Sequence, residues 1–220
     1  MSKNLFGWMV MLAFVAVLVS QLQTPAAPAE GDTGLTAAEL QAYGGSKTPQ
    51  LPPMEAQRPR TITMIGDSLS RVTARHLTSD ADTVWHVDAL GGRPLSVAKP
   101  LVASSAPTTD AFVIALGTND CASEVSDDKL KERIYTTLSV TEGKPTSFLT
   151  LGENGPIKAC AERFNQLLRE LAGSIPTLTV LDWQAVIREH PEWYGGQGDG
   201  IHLIPSAYAA RASWLADQFK

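Results

Sequence analysis

Beyond about residue 60 the chain falls into short apolar, β-branched runs that end at glycine and alternate with longer segments of mixed polarity. Residues 61–65 form a β-prone run that stops at Gly66-Asp67-Ser68, after which 69–77 suit a helix. Residues 83–89 predict a second strand ending at Gly91-Gly92. Residues 111–116 predict a third, apolar throughout and ending at Gly117. A fourth strand is expected over 147–151 and a fifth over 178–181, leading into Asp182-Trp183. Apolar positions at helical spacing predict helices over 158–172 and 206–219. This alternation points to an α/β protein, a three-layer α/β/α sandwich with a parallel sheet covered by helices on both faces. In such sheets ligands bind beyond the carboxyl ends of the strands.

The first residues have a different pattern. Lys3 precedes an uncharged apolar run over 5–19, the layout of a signal peptide, and Ala27-Pro28-Ala29 offers a small-residue cleavage site. The run is shorter than the roughly 20 residues that span a bilayer. Residues 1–29 are thus expected to be a signal peptide or an uncleaved signal anchor. Residues 30–60, rich in Pro, Ala, Gly and Thr, are expected to be a flexible linker. One folded domain is then expected over 61–220, outside the cytoplasm, either secreted or held by the N-terminal segment.

Composition narrows the partners. Hydrophobic residues make up 44% of the chain, as in ordinary globular proteins. A formal charge of −5 with scattered Lys and Arg offers no basic stripe for nucleic acid and no polybasic run for an anionic membrane surface. Membrane contact is therefore expected only through the N-terminal segment. The two cysteines, Cys121 and Cys160, lack metal-ligand spacing. Export would place them where a disulfide persists, so one bridge is expected, with two buried thiols as the alternative. No His-Glu-x-x-His or comparable cluster is present, and neither a metal nor a cofactor is expected.

Ester cleavage by serine needs an exposed hydroxyl, a histidine to take its proton, a carboxylate to orient that histidine, and donors for the developing oxyanion. Ser68 stands just after the first strand where a helix opens. Taken alone, it is equally well explained as a helix cap. Asp199-Gly200-Ile201-His202 changes that balance by placing a carboxylate and an imidazole three residues apart before the last helix. By themselves Asp199 is a turn residue among glycines and His202 a packing histidine. His76, His86 and His190 have no comparable setting and are expected at the surface or at helix ends. Asn119, in Gly117-Thr118-Asn119-Asp120 after the third strand, offers a side-chain amide. Gly91-Gly92 offers a backbone N–H at a site without a Cβ.

In order along the chain, Gly66-Asp67-Ser68-Leu69, Gly92, Gly117-Thr118-Asn119-Asp120 and Asp199-Gly200-Ile201-His202 resemble the motif blocks of the SGNH/GDSL hydrolase superfamily, over roughly residues 62–214. The resemblance implies a flavodoxin-like fold. It also implies Ser68 as nucleophile, His202 as general base and Asp199 as its partner, with an oxyanion hole made by the Ser68 N–H, the Gly92 N–H and the Asn119 amide. Gly92 is preferred over Gly91 because Arg93 follows it. That pair resembles the extracytoplasmic SGNH domains of peptidoglycan and polysaccharide O-acetyltransferases, as do Leu181-Asp182-Trp183 and His190-Pro191-Glu192-Trp193. Two departures stand out: those proteins commonly join the domain to a many-helix membrane acyltransferase, which these 220 residues do not include, and Asp120 stands where several of them have another residue.

The expected activity is that of a serine esterase on short-chain acyl esters, O-acetyl groups of cell-envelope carbohydrate above all. Trp193 and Tyr194 are the candidate sugar-stacking residues, while Trp183 is expected in the core. Two alternatives remain open: an O-acetyltransferase that moves the acyl group to a sugar hydroxyl, and a non-catalytic sugar-binding module of the same fold. The intact set Ser68, Asn119, Asp199 and His202 argues against the second.

Overall fold

A computed structural model describes residues 60–220. The expected leader over 1–29 and all but the last residue of the expected linker over 30–60 lie outside the described residues. Arg60, assigned to that linker by composition, opens the first strand, where its Cα pairs with that of Thr83.

Among the described residues there are five strands: β1 (Arg60–Gly66), β2 (Thr83–Ala89), β3 (Ala111–Ala115), β4 (Thr146–Leu149) and β5 (Leu178–Leu181). All neighbours are parallel, in the order β2-β1-β3-β4-β5. The described helices are α1 (Ser68–Thr73), α2 (Ala98–Ser105), α3 (Thr118–Ala122), α4 (Asp127–Leu138), α5 (Lys158–Ala172), α6 (Trp183–Arg188) and α7 (Pro205–Asp217), with short 3₁₀ turns between some of them. The expected three-layer α/β sandwich is observed, and its strand order is the flavodoxin-like one.

Side-chain alternation along the strands sorts the core into two faces. Ile65, Phe112, Ile114 and Phe148 pack in one buried cluster with Val102 of α2, Leu130 and Ile134 of α4, and Phe164 and Leu168 of α5. Ile62, Met64, Val113, Ala115 and Leu149 pack in the other with Leu215 of α7. Because both faces are covered, the central strands read as continuous apolar runs rather than alternating ones.

Four helices escape the sequence reading, α2, α3, α4 and α6. Of these, α4 buries only Leu130, Ile134 and Thr137, a stripe too narrow to dominate a charged segment. Its start nevertheless carries a cap signal: the Ser126 side chain accepts from Lys129 N–H, and Asp127 and Asp128 fill the first turn. The helix expected over 69–77 is shorter than predicted, stopping at Thr73. The strand expected over 147–151 stops at Leu149. The backbone of Leu151 pairs instead with the fully buried Asn165 of α5, whose amide accepts from Leu151 N–H at 2.7 Å and donates to Leu151 C=O at 2.8 Å.

Cys121 in α3 and Cys160 in α5 form a disulfide, with their Cα atoms 5.4 Å apart. It ties the loop after β3 to the long helix behind it.

The sheet places three loops together. Gly66 of β1 is in register with both Ala89 of β2 and Ala115 of β3, so these three strands end at the same level. The crevice where the chain turns from β1 outward to β2 on one side and to β3 on the other is the topological switch point of the sheet.

Candidate active site

Ser68 is the first residue of α1, directly beyond β1. Asp67, not Ser68, is the helix cap: its carboxylate accepts from Leu69 N–H at 3.0 Å. The Ser68 hydroxyl is thereby left for other partners, which removes the cap explanation for this serine. Asp67 is almost fully buried, and that burial pushes its pKa up against the opposing charge of Arg211. Arg211, itself buried in α7, donates to Thr73 Oγ1 at 2.8 Å and lies over the Trp183 ring. These groups hold the start of α1 against the last helix.

The loop before α7 carries the other two residues. Ser68 Oγ lies 2.9 Å from His202 Nε2, and His202 Nδ1 lies 2.6 Å from Asp199 Oδ2. Asp199 Oδ1 meanwhile accepts from the N–H groups of Ile201 and His202, both at 2.9 Å. Burial works against the Asp199 charge, but the bonds from His202 and Ile201 outweigh it and hold the carboxyl down at about 2. With Nδ1–H donated to a carboxylate, Nε2 is the lone-pair nitrogen facing the serine.

This loop is braced from outside. Tyr194 bridges Leu203 antiparallel, and the N–H groups of Gly195 and Gly196 both donate to His202 C=O at 3.1 Å. Asn154, after β4, donates to Gly200 C=O at 3.0 Å. Gly200 holds φ at +71°, and a Cβ there would come within 3.0 Å of the Gly155 Cα, so the tight Asp199–His202 turn requires glycine at this position.

The candidate oxyanion donors Asn119 and Gly92 lie in the segments that follow β3 and β2. Asn119, second residue of α3, directs its amide to the Arg93 carbonyl at 3.1 Å, which leaves its second amide hydrogen for another acceptor. Gly91 is the glycine that packs beside Ser68, since a Cβ there would stand 4.0 Å from the Ser68 Cβ. Gly92 follows it with φ of +75°.

Trp193 and Tyr194 lie behind the triad loop. Trp193 stacks parallel to His190 at 3.9 Å and to Trp183 at 6.1 Å, so its ring already has two ring neighbours. His190 is thus engaged, also with Glu192 at 3.1 Å, while His76 and His86 are exposed as expected. Trp183 is buried in the core. Tyr194 turns its hydroxyl to Gly152, and burial, followed by the charge of Glu153, pushes its pKa up to about 12. A cavity of about 20 Å³ lies among Leu69, Thr118, Gly152, Trp183, Tyr194 and Leu203, and none of Ser68, Asn119 and His202 lines it. An open apolar groove of about 380 Å³ is lined by the loop after β2, including Leu90, Gly91, Gly92, Pro94 and Val97.

Sequence reasoning missed Asp67, Asn154, Asn165 and Arg211. Asp67 carried a signal in its Asx position before a helix. The other three sit in helices or loops remote from every motif.

No protein-family model matches the chain, and no curated protein matches it. Solved structures do. The C-terminal catalytic domain of peptidoglycan O-acetyltransferase A from Streptococcus pneumoniae, determined with a methylsulfonyl adduct, aligns at 21% identity with a TM-score of 0.60, covering 73% of this chain and 92% of that one. An acetyl xylan esterase aligns at 15% identity and a TM-score of 0.62, covering 73% and 100%. A lipolytic protein of the G-D-S-L family from Desulfitobacterium hafniense aligns at 14% identity and a TM-score of 0.60, covering 71% and 98%. At these identities the likeness establishes the fold alone, the three-layer α/β sandwich that these structures share.

Proposed function

We propose that this protein is a serine esterase acting on short-chain acyl esters, O-acetyl groups of cell-envelope carbohydrate above all, through an acyl-serine intermediate. The observation that carries the proposal is the continuous relay from Ser68 Oγ through the His202 ring to Asp199.

In the proposed cycle His202 Nε2 takes the Ser68 proton as Oγ attacks the ester carbonyl, giving a tetrahedral oxyanion. The Asn119 amide and the N–H groups of Ser68 and Gly92 receive that charge. Collapse breaks the bond to the alcohol, which leaves with the proton from His202, and the acyl group stays on Ser68. Water then attacks with His202 again as base, and the acid departs as the Ser68 proton returns. Asp199, held ionised, stabilises the imidazolium formed in each half.

The short-acyl assignment is supported by a solved structure of the same fold that is named an acetyl xylan esterase. The carbohydrate assignment is supported by solved structures of the same fold named as an acetyl xylan esterase and a peptidoglycan O-acetyltransferase. The latter also keeps a second reading in view, in which a sugar hydroxyl replaces water. The Cys121–Cys160 disulfide suits an oxidising compartment and so supports a place outside the cytoplasm, secreted or held by residues 1–29.

The test is hydrolysis of nitrophenyl esters from acetate to decanoate by the full chain, beside Ser68→Ala. Acetate cleaved fastest by the wild type and not at all by the variant is the expected result. A preference for longer chains would move the acyl group into the groove beside Gly92, and turnover surviving in Ser68→Ala would end the proposal.

A further inference from the structure

Asp120 takes no part in the proposed cycle, yet it is a fully buried carboxylate beside Asn119. A buried charge is costly unless it is paired and hydrogen-bonded, so its partners explain why it is there. One oxygen accepts from Leu95 N–H at 2.7 Å, and the other is paired with the guanidinium of Arg133, which reaches over from α4. Both partners lie outside the loop that carries Asp120.

Those contacts join two loops that the sheet keeps apart. Residues 91–95 follow β2 and residues 117–120 follow β3, with β1 between the two strands. Two hydrogen bonds span the gap. Asn119 donates its amide to Arg93 C=O at 3.1 Å, and Leu95 donates its N–H to Asp120. Leu95 is also sunk in the core, and the Arg93 side chain is anchored outward on Asp88, at 2.7 Å to its carbonyl and 2.9 Å to its carboxylate. The segment carrying Gly92 is therefore pinned at Arg93 and Leu95, and both bonds to the facing loop run to the adjacent pair Asn119 and Asp120.

We infer that Asp120 is the positioning residue of the oxyanion hole: held in place by Arg133, its carboxylate fixes the Leu95 backbone and with it the distance between Gly92 and Asn119. The inference rests on the esterase reading above for the identity of the two donors. Oxyanion donors stabilise charge only when already aimed at it, and a displacement of about 1 Å costs on the order of a hundredfold in rate.

The variants separate this role from mere packing. Asp120→Ala removes both bonds, whereas Asp120→Asn keeps an acceptor for Leu95 N–H and loses the attraction for Arg133. With nitrophenyl acetate, kcat is expected to fall about tenfold to a hundredfold in Asp120→Ala with KM within about threefold, and Asp120→Asn to recover most of it. In an Asn119→Ala background, adding Asp120→Ala should cost clearly less than in the wild type, because one of the two donors whose distance it fixes is already gone. Independent, multiplying losses would overturn the inference, as would a KM effect with kcat intact.

A second measurement needs no turnover. Amide hydrogen exchange over residues 91–95 is expected to quicken in Asp120→Ala at a temperature where the rest of the fold stays protected, and unchanged exchange there would overturn the inference as well. A wild type that cleaves no ester, with exchange quickened in the variant, would sink the esterase reading and leave the hold of Asp120 on this loop standing.

Discussion

His202 Nε2 stands 2.9 Å from Ser68 Oγ although the two residues are 134 positions apart in the chain. They meet because Ser68 leaves the end of β1 while His202 sits in a loop braced by Tyr194, Gly195, Gly196 and Asn154.

Asp199→Asn should keep the loop geometry while removing the carboxylate that selects the His202 tautomer. The loss of kcat is expected to reach roughly ten-thousandfold, as when the equivalent exchange is made in a serine protease triad. Steady-state hydrolysis of nitrophenyl acetate checks it, and a loss below about tenfold would contradict the orienting role.

The same carboxyl links stability to pH. Its folded pKa of about 2 lies below the ordinary value of 3.8. Its contribution is therefore complete above about pH 4 and is lost as pH falls through the folded value. The urea midpoint of the wild type should exceed that of Asp199→Ala by a constant margin from pH 7 down to about pH 5, narrowing towards pH 2. Because Asp199 is about one-third exposed, solvent keeps that margin small. A margin that widens on acidification would reverse the sign of the argument.

Asn119→Ala should lower kcat by about a hundredfold or more, the usual cost of one oxyanion donor. KM is expected to change little, since the amide acts on charge that appears only in the transition state. Thermal unfolding of the variant serves as control, because the bond to Arg93 C=O is lost as well.

Replacing Cys121 and Cys160 together by alanine opens a loop spanning 39 positions in sequence. Chain entropy then predicts a loss of about 2–4 kcal/mol in unfolding free energy. Reductant should lower the wild-type melting temperature towards that of the variant and leave the variant unmoved.

A Cβ at Gly66 would overlap the Ser70 side chain, which is fully buried in α1. Gly66→Ala must therefore push α1, and Ser68 with it, away from β1. A destabilisation of about 1–3 kcal/mol, with activity lost beyond what stability explains, is the expected outcome. Chemical denaturation beside the rate assay reads both.

The primary structure by itself determined the local events. Its apolar and β-branched runs placed the five strands to within two residues, most plainly at β3, which is buried on both faces and leaves an unbroken hydrophobic signal. The glycines at strand ends marked the functional loops, and the four motif blocks named Ser68, Asn119, Asp199 and His202 before any geometry was known. Helix α4 went unread, although its cap was visible, because a three-residue buried stripe in a charged segment barely alters periodicity. Only the tertiary structure decided what depends on which strands become neighbours. The order β2-β1-β3 brought the loop at 91–95 against Asn119 and Asp120. Helix packing selected Arg133 and Arg211 as partners for the buried carboxylates. It also set Trp193 between two rings, a placement its motif did not foretell. Periodicity and turn chemistry act over a few residues and are written in sequence, whereas pairings across tens of residues follow from how helices and strands fill a common core.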